Sequence, residues 1–130
     1  MGLSVQVEIS PGELIDKLTI LEIKRDRIRD QDKRSNVDLE YSKLRVTFDE
    51  QIELSESLQG LHDALRDVNL RLWDIEDDIR DCERRKDFGA SFVSLARSVY
   101  LTNDRRAEIK RAINALLQSA LVEEKSYRAY

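Results

Sequence analysis

Three rows of polar side chains at helical spacing carry the groups in this 130-residue chain that are best able to do chemistry. Asn69, Trp73, Glu76, Arg80 and Glu83 recur three and four residues apart, with Asp77 beside them. Asn103, Asp104, Arg106, Lys110 and Asn114 repeat the pattern later, and Glu13, Lys17, Ile20, Lys24 and Arg27 form an earlier, mostly basic row. Residues at these spacings share one face of a helix. Three such faces turned toward one another would line a cleft with guanidinium, ammonium and carboxamide groups. Arg forks and Lys point charges are the usual means of holding phosphate and carboxylate. The expected partner is therefore a small anionic ligand, in the first instance phosphorylated, such as a nucleotide or nucleotide sugar. Lys17, Lys24, Arg80, Arg106, Lys110 and Asn114 are its expected contacts, with Trp73 or Tyr127 stacking on a base or sugar face. Asn69, Glu76, Asp77 and Asp104 would orient the bases without touching the ligand. The competing reading makes the same charges a buried ion-pair network that fixes helix register. The chain would then be a structural or adaptor bundle acting through protein–protein contacts.

Catalysis has less to build on. His62 is the only histidine and Cys82 the only cysteine, so neither a zinc site nor a Cys/His or Ser/His/Asp set can be assembled. No glycine-rich loop follows a strand, which argues against a phosphate-loop nucleotidase. Carboxylate pairs three apart do occur, at Glu50/Glu53, Asp74/Asp77 and Asp78/Asp81. Such pairs can hold Mg²⁺ together with water and a substrate phosphate. All-helical nucleotide pyrophosphohydrolases use ExxE and ExxD pairs from two helices, and this chain is similar to them in that spacing alone. With 26 acidic residues in 130, several such pairs arise by chance. The expectation is no catalytic residue and no cofactor; the alternative is a Mg²⁺-dependent hydrolase with Glu76 and Asp77 as metal ligands.

Bulk properties narrow the partners. The 26 acids outnumber 22 bases, and net charge is −4 with both signs interspersed. A duplex nucleic-acid binder needs an excess of Lys and Arg to displace phosphate counterions, so that partner is not expected. No run approaches the roughly 20 apolar residues of a membrane helix, and no signal-peptide pattern opens the sequence. A cytoplasmic protein with Cys82 as a small core residue is the expectation.

These groups need elements to position them. Apolar residues at 61, 65, 68, 72, 75, 79 and 82 alternate in steps of four and three without a miss, which predicts one long amphipathic helix. Ser10-Pro11-Gly12-Glu13 is a helix start: Ser caps, Pro suits the first position, and Glu can reach back to the cap. That helix is expected to run to about Asp30. Gln31 to Asn36 reads as a polar turn, and a second helix begins near Val37 with Tyr41, Leu44, Phe48 and Ile52 inward. Its regularity falters around Leu54 to Ser57, and a kink or break is favoured near Gly60 over one long helix with a register change there. After a stop from Arg84 to Gly89, a short aromatic-rich helix spans residues 88–100, and Thr102 or Asn103 caps a last one. Val5, Val7 and Ile9 alternate with polar residues as a strand does, and the tail from Leu121 is its candidate partner. Residues 1–130 are thus expected to form one all-α domain: an antiparallel helical bundle with a long central helix, a minor pair of terminal strands, and a homo-oligomeric state, a dimer in the first instance.

Four blocks, Ser10 to Lys24 (SPGELIDKLTILEIK), Asn69 to Arg80 (NLRLWDIEDDIR), Asn103 to Asn114 (NDRRAEIKRAIN) and Glu123 to Tyr127 (EEKSY), resemble in order those of a small bacterial and phage domain family of unknown function. The resemblance covers most of the chain outside residues 30–60. It implies that the family's distinguishing blocks coincide with the polar rows. Relatives near surface-sugar and glycosyl-transfer genes imply nucleotide sugars, and phage relatives imply a ligand-sequestering protein.

Overall fold

The computed structural model describes residues 2–130, which form four helices: α1 (Pro11–Arg27), α2 (Gln31–Gln51), α3 (Glu56–Arg85) and α4 (Ala90–Leu116). No strand occurs among the described residues, so the fold is all-α. Three-residue and four-residue links join α1 to α2 and α3 to α4, which makes each pair a helical hairpin.

Three of the four helices begin where a side chain satisfies an orphan N–H group, and α4 starts at Gly89 without a side-chain cap. The Ser10 hydroxyl accepts from the Glu13 amide at 3.1 Å with Pro11 in the first turn, as the sequence predicts. Glu13, however, does not reach back to the cap; its carboxylate faces α4. Asp30 caps α2 by accepting from the Lys33 amide at 2.9 Å, so the helix opens at Gln31 and the expected turn at 31–36 is helical. Ser55 caps α3 through the Leu58 amide at 3.1 Å. The break between α2 and α3 therefore falls at residues 52–55, and Gly60 lies inside α3 with open space around it. Lys86 closes α3 in the left-handed conformation, φ 58°, with its amide on the Cys82 and Glu83 carbonyls. The chain passes through Thr102 and Asn103 without interruption. Neither residue caps a new helix, because Thr102 is buried against the bundle and no Gly or Pro breaks the ladder.

Packing is organised around α1. It touches all three other helices, whereas α2 packs on α1 alone and α3 lies along α4. Leu14, Ile15 and Leu18 of α1 meet Phe48 of α2, Leu58 and Leu65 of α3, and Ile109 and Ile113 of α4 in one core. Each such side chain contributes about 1.5–3 kcal/mol on full burial. The seam of α3 is confirmed: Leu65, Ile75 and Cys82 are buried, and Leu61, Val68, Leu72 and Ile79 are half-buried. At about 1.5 Å per residue its 30 residues span about 45 Å. The expected terminal strand pair does not form. Residues 2–9 are extended and exposed, while the segment after α4 lies against α4's own side chains. No helix among the described residues is long and apolar enough to cross a membrane.

His62 makes the α1–α3 contact sensitive to pH. Its Nε2 lies 3.3 Å from Glu22 Oε2 on α1, and its Nδ1 lies 3.0 Å from Asp63 Oδ1. Arg66 joins the same group, 3.6 Å from Glu22 and 2.8 Å from Asp26. The adjacent Glu22 carboxylate lifts the imidazole pKa above its ordinary 6.5; burial opposes the shift and Asp63 adds to it. Since the folded-state pKa is raised, this stabilisation is fully present below about pH 6.5 and is lost as pH rises through the folded-state value. The melting temperature should fall across that window, and His62→Gln should flatten that part of the profile. An identical pH profile in the variant would exclude His62 as the cause.

Candidate functional site

The first turn of α1 abuts the second half of α4 closely enough to require glycine. The Gly12 amide, one of the helix's orphan donors, donates to Asn114 Oδ1 at 2.7 Å. A Cβ at Gly12 would sit 2.6 Å from the Lys110 carbonyl oxygen and 2.8 Å from Asn114 Oδ1. One turn further along α1, Asp16 is 1% exposed and fully engaged. Its Oδ1 accepts from Arg106 Nε at 2.9 Å and from Asn69 Nδ2 at 2.9 Å, and its Oδ2 accepts from Arg106 Nη2. Thr19 completes the group: its hydroxyl donates to the Asp16 carbonyl at 2.8 Å and accepts from Asn69 at 2.9 Å. Asp16 holds the guanidinium pKa of Arg106 above its ordinary value, with burial opposing. This arrangement ties α1, α3 and α4 together through one carboxylate.

Lys110 lies beside it, with a side chain only 10% exposed. Its Nζ is 2.7 Å from Glu13 Oε2 on α1 and 2.8 Å from Glu123 Oε2 in the segment after α4. Burial pulls the Lys110 pKa down, but the bonds to Glu123 and Glu13 outweigh it and the net shift is upward. The segment holding Glu123 turns back along α4 as a strap. Lys125 comes within 3.9 Å of Asp104 Oδ1, and the Tyr130 hydroxyl donates to Asp104 Oδ2. The Tyr130 ring meets Tyr100 edge-on at 5.3 Å. Between strap and helix is a cavity of about 220 Å³, lined by Lys110, Arg111, Asn114, Gln118, Val122, Glu123 and Lys125, among others.

The sequence-derived residues divide into two groups. Asn69, Asp104, Arg106, Lys110 and Asn114 converge where α1, α3, α4 and the strap meet, and Lys17 approaches from its rim, 3.8 Å from Glu13. Tyr127 is exposed on the strap, with the Lys125 ammonium 5.4 Å above its ring. The others lie elsewhere. Arg80 pairs with Glu76 on the same exposed face of α3, and Asp77 is exposed beside them. Trp73 is half-buried on α3, where neighbouring Asp74 bonds Arg27 of α1 at 3.1 Å. Lys24 is half-buried with no carboxylate within 4 Å among the described residues. No group of three or more His, Cys, Asp or Glu able to hold a metal ion occurs among the described residues, at Glu76 and Asp77 or elsewhere.

Asp16, Thr19 and Glu123 were not legible as members of the site. A signal for the first two existed: Gly12, Asp16, Thr19 and Ile23 form a four-three-four row of their own, and all four are buried. A helix surrounded by three others has more than one inward face, so a row of small and polar residues can be as buried as the leucine row.

Residues 5–130 match the family described as "Family of unknown function (DUF6165)", and the chain belongs to that family. No curated protein and no solved structure matches the chain.

The close approach at Gly12 separates two glycine substitutions that would otherwise look alike. Gly12→Ala should destabilise by about 2–3 kcal/mol, because the methyl group meets backbone and the Asn114 bond is strained. Gly60→Ala, in open space on α3, should stabilise by about 0.5–1 kcal/mol. Urea unfolding of both variants measures the difference; equal effects would remove the contact at Gly12 from the account.

Proposed function

We propose that the protein is a non-catalytic binder, sequestering in role, of a small anionic, phosphorylated ligand, a nucleotide or nucleotide sugar in the first instance. The ligand would lie in the cavity between α4 and the strap. One observation carries this reading: the buried ammonium of Lys110 stands on the cavity wall with Glu123 against it, where a ligand's anionic group would bind in the carboxylate's place. Arg111 and Lys125 line the same cavity, which gives it three cations against one acid in a chain of net charge −4. A phosphate displacing Glu123 would gain Lys110 and have both neighbours within the same space. Tyr127, next along the strap from Lys125 and Ser126, supplies the flat face for a base or sugar. We take the compartment to be the cytoplasm, where a lone thiol such as Cys82 stays reduced.

A second reading, the structural or adaptor bundle, is favoured by the full engagement of Arg106, Asn69 and Asn114 in bonds to Asp16 and Gly12. Those three hold the fold, and in the first reading the binding chemistry falls to Lys110, Arg111, Lys125 and Tyr127.

A thermal-shift screen of nucleotides and nucleotide sugars, with and without Mg²⁺, separates the two. A ligand at a hundredfold excess over Kd stabilises by about 2.7 kcal/mol. Arg111→Ala and Lys125→Ala should each weaken that ligand about tenfold, the worth of one charged hydrogen bond, while leaving the ligand-free melting temperature within a degree or two. A flat screen would favour the adaptor, and full protection of both variants would put the ligand outside this cavity.

A further inference from the structure

Residues 2–9 run extended ahead of the Ser10 cap, and none of their backbone groups bonds to another backbone group among the described residues. Their side chains alternate strictly. Leu3, Val5, Val7 and Ile9 fall on one face, and Ser4, Gln6 and Glu8 on the other. The apolar face is bare: Leu3 is 95% exposed, Val5 76% and Val7 74%. An extended segment with free backbone groups and one apolar face has the form of a strand awaiting a partner.

We propose that this partner is the same segment of a second copy, the two arms pairing antiparallel about a twofold axis through Gln6. The sequence of the arm is self-complementary in that register. Centring on Gln6 sets Leu3 opposite Ile9 and Val5 opposite Val7, so all eight apolar side chains of the pair share one face. On the other face Gln6 meets Gln6 and Glu8 meets Ser4, so no like charges stand opposite each other. A shift by one residue puts Glu8 across from a valine or leucine face and loses the match entirely. A shift by two keeps the faces; toward Pro11 it sets Leu3 against a residue with no N–H to give, and away from Pro11 it moves the partner's Leu3 from Ile9 to Val7, off the apolar residues beside Pro11.

A two-stranded ribbon is marginal by itself and needs one face covered. The register supplies the cover. The partner's Leu3 stands opposite Ile9, two residues before Pro11, and Pro11 lines a groove with Ile52, Leu54 and Leu117. Leu54 is itself half-exposed in the α2–α3 link. Each copy thus offers an apolar seat beside the root of its own arm for the tip of the other's. The contact is isologous and closes on itself.

Light scattering or sedimentation of the full chain should give twice the 15.2 kDa subunit mass. Val5→Lys combined with Val7→Lys should return the mass of one subunit with undiminished helical circular dichroism, since both side chains face solvent within the subunit. Leu54→Glu should weaken the dimer at least tenfold. Gln6→Cys should cross-link two subunits under mild oxidation, whereas Glu8→Cys, opposite Ser4, should not; Cys82 is buried and does not compete. A single-subunit mass for the unaltered chain at every accessible concentration overturns the proposal. A dimer that survives the double lysine variant, or that Gln6→Cys fails to cross-link, overturns it equally, because the interface then lies elsewhere. A dimer indifferent to Leu54→Glu overturns the seating of Leu3.

Discussion

The carboxylate of Asp16 is the constraint on which the arrangement of helices depends. A buried charge is tolerable only when its hydrogen-bonding capacity is filled, and in this chain Arg106 from α4 and Asn69 from α3 fill it. Both donors have fixed reach, so α1 can take only one rotation and one height against the α3–α4 hairpin. Apolar side chains in the core of Leu14, Leu65 and Ile113 would accept several packings of similar energy; a bidentate guanidinium pair does not. The same geometry brings Gly12 onto the backbone of α4 and aims Glu13 at Lys110. It also sets where the chain enters α1, and therefore where the exposed arm projects.

The charges on α4 consequently perform two kinds of work. Arg106 faces inward to α1 and serves the fold. Lys110, one turn further on, is shared between an acid of the fold, Glu13, and an acid of the strap, Glu123. The strap is fastened to α4 by polar contacts at Glu123, Lys125 and Tyr130 and buries few apolar groups, so its displacement costs less than that of any helix. Under the proposed function, an external anion would bind by exchange with this tethered carboxylate, without stranding a buried charge.

Much of this was legible in the sequence, and the failures have specific causes. The seam of α3 and the Ser10 cap are periodic and local signals, and both hold. The row Arg106, Lys110, Asn114 does share a face and does meet α1. Trp73, Glu76, Asp77 and Arg80 share a face too, but helical spacing does not say how far along a 30-residue helix its neighbour extends. Asp16 was hidden because a charged residue between leucines reads as solvent-facing unless the helix is enclosed on several sides. The break before α3 was assigned to Gly60 when the Ser55 hydroxyl determines it, since a cap outranks a glycine that helical backbone accommodates. The strand pair expected of residues 5–9 and the tail does not form, because the tail is committed to α4 through Lys110 and Asp104.

A double-mutant cycle on Asp16 and Arg106, read by urea unfolding, tests the central claim most directly. Asp16→Ala and Arg106→Ala should each destabilise strongly, because each strands its partner in a partly buried position. The double variant should recover part of that loss, giving a coupling of about 1–3 kcal/mol. Additive effects, with coupling near zero, would contradict the account: the pair would then be incidental to the fold, and the position of α1 would rest on the apolar core alone.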